Sequence, residues 1–115
     1  MVGRTKHKTR ADRERFDKLQ EIGCIVSLAY FNRRGVPGDI HHLLTGGRRY
    51  PDQHQMTICL EPWYHRGIPP SGFTESQARA RLGPTLCHEK RQFVERFGTE
   101  LDLLEMTNSC IERMQ

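Results

Sequence analysis

Histidines are concentrated in the middle of the sequence, and imidazole is the side chain best suited to metal binding and to proton transfer near neutral pH. The chain has 115 residues and six histidines, of which five lie between positions 41 and 88. His41 and His42 are adjacent, so on a strand their rings point to opposite faces. One ring could then bind a metal ion while its neighbour faces a substrate.

This arrangement is typical of metal-assisted hydrolysis of a phosphodiester. A divalent ion neutralises charge at the phosphate and stabilises the leaving 3′ oxygen, and a neutral histidine accepts a proton from the attacking water. The predicted metal ligands are His41, His65 and a third group from a later helix, for which we choose His88. His42 is the predicted general base. No G-x-S-x-G, P-loop or H-E-x-x-H motif offers a competing hydrolytic site.

Arginines near these histidines are suited to holding the non-bridging phosphate oxygens through paired hydrogen bonds. The candidates for this role are Arg48, Arg49 and Arg66. Arg48 and Arg49 lie in a Gly-rich turn after the histidine pair, and Arg66 directly follows His65.

Positive charge is concentrated at the start of the chain. The whole sequence has a net charge of +4, with 18 basic and 14 acidic residues, and residues 4–15 alone hold six of the basic and two of the acidic ones. Two interpretations remain open: a flexible arm that slides along a phosphate backbone, or a solubilising tail. From Phe93 onward the balance turns acidic. The predicted nucleic-acid contacts are Arg4, Lys6, Lys8, Arg10, Arg33, Arg34, Arg48 and Arg49.

The order of elements predicts an α+β fold. Two short apolar strands, 39–44 and 55–60, flank a turn at 45–52 and should pair as an antiparallel ribbon. An apolar segment at 24–31 is buried but of uncertain type. We expect core positions at Phe16, Leu19, Phe93, Phe97 and Leu101. The predicted helices cover 11–22, 62–65, 75–82 and 85–97, and a last helix begins after Thr99.

Composition favours one small soluble domain. Apolar residues make up 36% of the chain and charged residues 28%, and no apolar run approaches the ~18 residues of a membrane span. No signal-peptide core is visible. Four cysteines are far apart, without a C-x-x-C pair, so reduced thiols and a cytosolic location are expected. Collagen-like, coiled-coil, membrane and disulfide-scaffold proteins are excluded.

Several segments together resemble a known family, the phage recombination-dependent nucleases (Ref-like, RecA-dependent). The similarity spans roughly residues 16 to 107 and is carried by 22–26, 39–43, 57–60, 65–67, 90–100 and 103–104. It implies the HNH superfamily, whose small ββα-metal (His-Me finger) core would be flanked here by N- and C-terminal helices. It also implies a single divalent ion (Mg, Mn, Zn or Ni), single- or double-stranded DNA as substrate, a RecA-type recombinase filament as a candidate partner, and the cytoplasm of a bacterial host.

The resemblance also assigns roles to residues. His41 corresponds to the first metal ligand, His42 to the water-activating base, and His65 to the ligand after the second strand. The last ligand is His88, with Cys87 as the alternative. His54 either replaces the central Asn that orients the base or is an exposed turn histidine.

One departure from the family concerns a structural zinc. The family shows Cys-x-x-Cys and Cys-Pro-x-His-His, where this chain has Cys24 with Ser27 and then Glu61-Pro62-Trp63-Tyr64-His65. If the first three cysteines and the first histidine of that pattern bind zinc, only Cys24 is kept. We therefore expect the structural zinc to be absent, with packing of Trp63 and Tyr64 in its place.

These observations predict a metal-dependent DNA endonuclease of the HNH type, acting in phage or prophage recombination or repair. The predicted organisation is a flexible basic arm at 1–15, a nuclease domain at 16–110 and a tail at 111–115. The first alternative is a non-catalytic DNA-binding recombination accessory protein with the same fold. The second is a zinc-stabilised protein-interaction domain.

Overall fold

A computed structural model describes residues 8–114 as an α+β domain. None of the helices in this range is both long and apolar enough to cross a bilayer. The elements in chain order are α1 (Arg10–Ile22), α2 (Ile25–Phe31), β1 (Asp39–His42), β2 (Leu44–Thr45), β3 (Arg48–Arg49), β4 (Thr57–Leu60), α3 (Pro62–Arg66), α4 (Glu75–Leu82), α5 (Lys90–Phe97) and α6 (Glu100–Arg113).

The predicted antiparallel ribbon is present. Strand β1 pairs with β4 so that His41 lies opposite Ile58 and His42 opposite Thr57. The segment predicted as a turn at 45–52 contains part of a second, smaller hairpin, because β2 pairs with β3. The fold is therefore α+β as expected, with two small two-stranded sheets.

Three helices begin at the same kind of local signal, the capping box. In each, a threonine hydroxyl accepts a hydrogen bond from the backbone three residues later, and the side chain there bonds back to the threonine N–H. The pairs are Thr9 with Asp12, Thr74 with Gln77, and Thr99 with Asp102. At the other end of α1, Gly23 has φ 78°, and a Cβ there would lie 2.5 Å from the Val36 nitrogen.

The core includes both aromatic residues of α3 and is rich in aromatic rings. Trp63, Tyr64, Phe93 and Phe97 are fully buried, and the Tyr64 ring packs edge-on against both phenylalanines. The polar atoms of the first two are satisfied, since Trp63 Nε1 donates to the Gly83 carbonyl at 2.9 Å and Tyr64 Oη to the Leu82 carbonyl at 2.6 Å. The rigid core thereby fixes α3, which carries His65.

Two local predictions were wrong. The helix predicted over 85–97 begins only at Lys90, because the Thr85 N–H and hydroxyl bond instead to the Glu89 carboxylate, which also binds Arg79. Leu101, predicted as core, is 55% exposed, since Leu103 and Leu104 occupy the buried face of α6.

The N-terminal segment differs in part from the predicted arm. Residues 10–15 form the first turns of α1, and Arg15 is buried there, so the predicted boundary after residue 15 lies inside a helix. Arg4 and Lys6 lie outside the described residues. At the other end, α6 continues to Arg113, into the predicted tail. The segment at 24–31, of uncertain type in the sequence, is mostly helix α2.

Candidate active site

The end of β1 places its two histidines against different partners. His41 contacts side chains from α3 and α6, whereas His42 contacts a histidine from the loop before β4. Because neighbouring side chains on a strand alternate between faces, the two imidazoles serve separate clusters.

The first cluster, which we call the His41–His65 cluster, consists of Asp39, His41, His65 and Glu100. The two imidazole centroids are 5.1 Å apart. His41 Nε2 lies 2.6 Å from Glu100 Oε1, and His65 Nδ1 lies 3.0 Å from Asp39 Oδ2. All four side chains are partly buried. Each imidazole therefore has its own carboxylate partner.

Hydrogen bonds keep both carboxylates ionised. The hydrogen bond from His41 lowers the pKa of Glu100, against the opposing effect of burial. Burial raises the pKa of Asp39, but hydrogen bonds from His65 and Arg66 outweigh it, so that this pKa is also low. Arg66 donates to both Asp39 oxygens, at 2.8 and 3.3 Å. The cluster thus combines two imidazoles with two anionic oxygen donors.

The second cluster is the His42–His54 pair. His42 Nε2 lies 3.1 Å from His54 Nδ1, and the Phe16 ring packs edge-on against both imidazoles. Burial, then the positive charge of Arg49, lowers the pKa of His42 to about 4, so this imidazole is neutral at pH 7. A neutral imidazole held by a second one has the form that a general base needs.

His54 is part of this pair and not an exposed turn residue. It is only 7% exposed, and among the described residues its Nε2 is a buried side-chain atom without a hydrogen-bond partner. Of the two interpretations that the sequence left open, the exposed turn histidine is wrong, because the loop folds back onto α1 and covers the ring.

Individual cations lie near both clusters. Lys8 Nζ lies 5.0 Å from the Phe16 ring centroid, next to the His42–His54 pair, and Arg49 on β3 acts on His42 through its charge. Arg66 lies at the His41–His65 cluster, with a half-exposed side chain. Arg48 on β3 and the loop residues Arg33 and Arg34 are exposed, whereas Arg10 forms a surface ion pair with Glu14.

His88 lies at the end of α3 rather than in contact with the other two predicted ligands. A Cβ at Gly67 would lie 2.9 Å from His88 Cδ2, so the glycine permits this close approach. Within residues 8–114, no hydrogen bond or ring contact joins its imidazole to His41 or His65. In that same range, no three His, Cys, Asp or Glu side chains are arranged to hold a metal ion.

The two carboxylates of the His41–His65 cluster were missed in the sequence. Asp39 could have been found, because it precedes His41 by two positions and a strand places such residues on one face. Glu100 gave no such signal, since 59 positions separate it from His41.

The four positions at which the resemblance would place structural zinc ligands also lie close together. Ser27 Oγ donates to Glu61 Oε1 at 3.0 Å. Burial raises the pKa of the Cys24 thiol, which interacts with the same two residues and with Tyr64. A hydrogen-bonded group thus lies where Cys24, Ser27, Glu61 and Tyr64 meet.

A comparison of the sequence with protein families gives a match. Residues 8–113 match the family described as "Recombination enhancement, RecA-dependent nuclease". The chain belongs to this family. The match covers both histidine clusters and nearly all of the described residues, and it indicates a nuclease role in recombination. No curated protein matches the chain.

Proposed function

We propose that this family member is a metal-dependent DNA endonuclease of the HNH type. The observation that carries the proposal is the placement of two imidazole clusters by adjacent residues, His41 and His42, at the end of one strand. One cluster combines imidazoles with carboxylates, and the other provides a neutral imidazole. These side-chain types suit a divalent ion and a base for an attack by water.

The donors fit a divalent cation by their chemistry, because imidazole and carboxylate suit Mn, Zn and Ni, and carboxylate suits Mg. His41 and His65 would hold the ion, with Glu100, which already contacts His41, or His88 as a third donor. Bound there, the ion would supply positive charge to the scissile phosphate and to the leaving oxygen. We propose one such ion per chain, without a structural zinc.

His42 takes the proton from the attacking water. In the tautomer that this role requires, His42 Nε2–H donates to His54 Nδ1, so the lone pair on His42 Nδ1 is free for the proton. His54 then orients the base, as a second imidazole 3.1 Å away can do. Attack by water at phosphorus with cleavage of the P–O3′ bond leaves a 5′-phosphate and a 3′-hydroxyl.

Exposed cations bind the phosphate backbone. Arg66 is next to the His41–His65 cluster, and Arg49 on β3 lies near His42, with Arg48 as its neighbour on the same strand. Lys8, held over Phe16, extends this positive surface toward the N-terminus. The remaining proposed DNA contacts are Arg4, Lys6, Arg10, Arg33 and Arg34.

The proposed biological setting extends the link to recombination that the family description names. We propose phage or prophage recombination or repair in the bacterial cytoplasm, with single- or double-stranded DNA as substrate and a RecA-type filament as partner. The family description names the link to recombination and to RecA.

The test is incubation of plasmid and single-stranded DNA with purified protein, with and without a RecA-type filament, across Mg, Mn, Zn and Ni. Cleavage that stops on chelation and in His65→Ala, with retained folding and DNA binding, supports the proposal. Cleavage that persists in the presence of chelator would contradict metal dependence. DNA binding without cleavage under every condition would favour an accessory protein instead.

A further inference from the structure

Arg15 on α1 is a buried cation without an acidic partner. Its side chain is only 8% exposed, and within residues 8–114 no carboxylate lies at ion-pair distance from it, whereas seven other basic side chains there have one. Burying a charge without a counter-charge is costly. The guanidinium therefore depends on neutral acceptors for its stabilisation.

Two of these acceptors belong to Thr57, the first residue of β4. Arg15 Nε donates to Thr57 Oγ1 at 3.0 Å, and Arg15 Nη2 donates to the Thr57 carbonyl at 2.5 Å. The third nitrogen, Nη1, donates to Asn108 Oδ1 on α6 at 2.8 Å. The planar guanidinium thus fixes Thr57 from two directions and ties it to α6.

Thr57 in turn is adjacent to both members of the His42–His54 pair. It lies opposite His42 in the ribbon, and its hydroxyl donates to the His54 carbonyl at 2.9 Å. An unbroken path of hydrogen bonds therefore leads from Arg15 through Thr57 to the residue that contacts His42 Nε2.

The same face of α1 makes further contacts with this loop. Phe16, next to Arg15, packs edge-on against the His54 ring with centroids 5.7 Å apart. One turn earlier, Asp12 accepts a hydrogen bond from Gln55 Nε2 at 2.7 Å. Because three side chains on one face of this helix contact residues 54, 55 and 57, we infer that the helix helps to set the position of His54.

We propose that Arg15 is a positioning residue for the His42–His54 pair and acts through the hydroxyl and carbonyl of Thr57. The inference deepens the proposed function and rests on it for its effect on cleavage. Its effect on the geometry of the two imidazoles does not depend on cleavage.

The test uses two matched substitutions of buried threonines. Thr57→Val removes the hydroxyl that joins Arg15 to His54. Thr107→Val, on α6, removes a buried hydroxyl that donates only to the Leu103 carbonyl, at 2.8 Å. Both changes keep the shape of the side chain. Thr57→Val removes two buried hydrogen bonds, the one from Arg15 Nε and the one to the His54 carbonyl, whereas Thr107→Val removes one. Arg15→Lys keeps the positive charge but loses the planar guanidinium, which donates several hydrogen bonds in a fixed geometry. Thr57→Ser keeps the hydroxyl.

The first readout is the long-range ¹H–¹⁵N spectrum of the imidazoles at one fixed pH, which reports tautomers and hydrogen bonding. We expect Thr57→Val and Arg15→Lys to shift the His42 Nε2 and His54 Nδ1 signals. In Thr57→Ser and Thr107→Val these signals should stay at their wild-type positions. The second readout is kcat, which should fall about 10-fold or more in the two shifted variants, because misplacing a catalytic group by about 1 Å can cost roughly 100-fold in rate. KM for DNA should be unchanged.

Imidazole signals that move equally in both valine variants, or in neither, would overturn the proposal. The proposal would also be overturned if kcat fell in both valine variants in proportion to the decrease in their melting temperatures. If the wild-type protein does not cleave DNA under any condition, the proposed function fails, and the imidazole spectra still decide whether Arg15 positions the pair.

Discussion

His41 and Glu100 are 59 positions apart in sequence, yet His41 Nε2 and Glu100 Oε1 are 2.6 Å apart in the structure. The contact joins the end of β1 to the first residue of α6. It adds an anionic oxygen to a pair of imidazoles whose centroids are 5.1 Å apart. A carboxylate in this place can either ligate an ion or hold an imidazole that does so.

Replacing Glu100 tests this contact. We expect Glu100→Gln to weaken Mn or Zn binding roughly 10- to 100-fold, the range for a lost partner of a metal ligand, as measured by titration calorimetry. The control is Glu105→Gln, because Glu105 is an exposed glutamate of the same helix. Equal metal affinities in both variants and the wild type would show that Glu100 has no part in the site.

Charge removal on β3 tests the DNA surface. Arg48→Gln and Arg49→Gln should each weaken DNA binding and reduce the slope of log affinity against log salt by about 1, because each removes one phosphate contact. Fluorescence anisotropy between roughly 50 and 200 mM salt measures this slope. Arg91→Gln, an exposed change on α5 where Arg91 pairs with Glu95, should leave the slope unchanged. If the slope of log affinity against log salt in all three variants equals that of the wild type, DNA does not bind at Arg48 and Arg49.

Metal stoichiometry tests the prediction of one ion per chain. Mass spectrometry of the native protein should find about one divalent ion. A second, structural ion is not expected, because Cys24 supplies the only thiol of its group and its partners there are a hydroxyl and a carboxylate. Cys24→Ser should leave the count unchanged, whereas His65→Ala should abolish it. Two ions in the wild type, with one lost in Cys24→Ser, would reveal a structural site.

The capping boxes predict a pH dependence of stability. Backbone and hydroxyl hydrogen bonds from Thr99 lower the pKa of Asp102. A carboxylate whose folded pKa is below its unfolded value stabilises the fold above about pH 4. This stabilisation is lost as the pH falls through the folded pKa. The melting temperature should therefore drop more steeply on acidification in the wild type than in Asp102→Asn.

A control separates this effect from general acid denaturation. Asp17→Asn alters an exposed aspartate in the middle of α1, outside any cap, and should keep the steep wild-type profile. Identical profiles for Asp102→Asn and the wild type would show that the box contributes no pH-dependent stability.

Local patterns predicted much of the fold. The ribbon, the short helix at Pro62 and the helices that follow Thr74 and Thr99 are specified by strand length, proline and capping residues, which act over a few positions. The same local order, strand, turn, strand and helix, brings His41 and His65 together. These elements are close in sequence, so their geometry requires little information from the rest of the chain.

Long-range packing could not be predicted in the same way. Which face of α6 packs against the ribbon depends on the whole core. The prediction that Leu101 is buried is therefore wrong, and the sequence does not reveal the contact of Glu100 with His41. The burial of Arg15 was equally hidden, because a charged run in a sequence does not reveal which member finds acceptors on a distant strand.

The central claim is that His42 is the base that activates water. The most direct test is single-turnover cleavage of DNA at a saturating divalent ion concentration by the wild type and His42→Ala. We predict a loss of about 10²- to 10⁴-fold in rate, the usual contribution of a general base, with unchanged DNA affinity and metal content. A His42→Ala protein that cleaves at the wild-type rate would contradict the account.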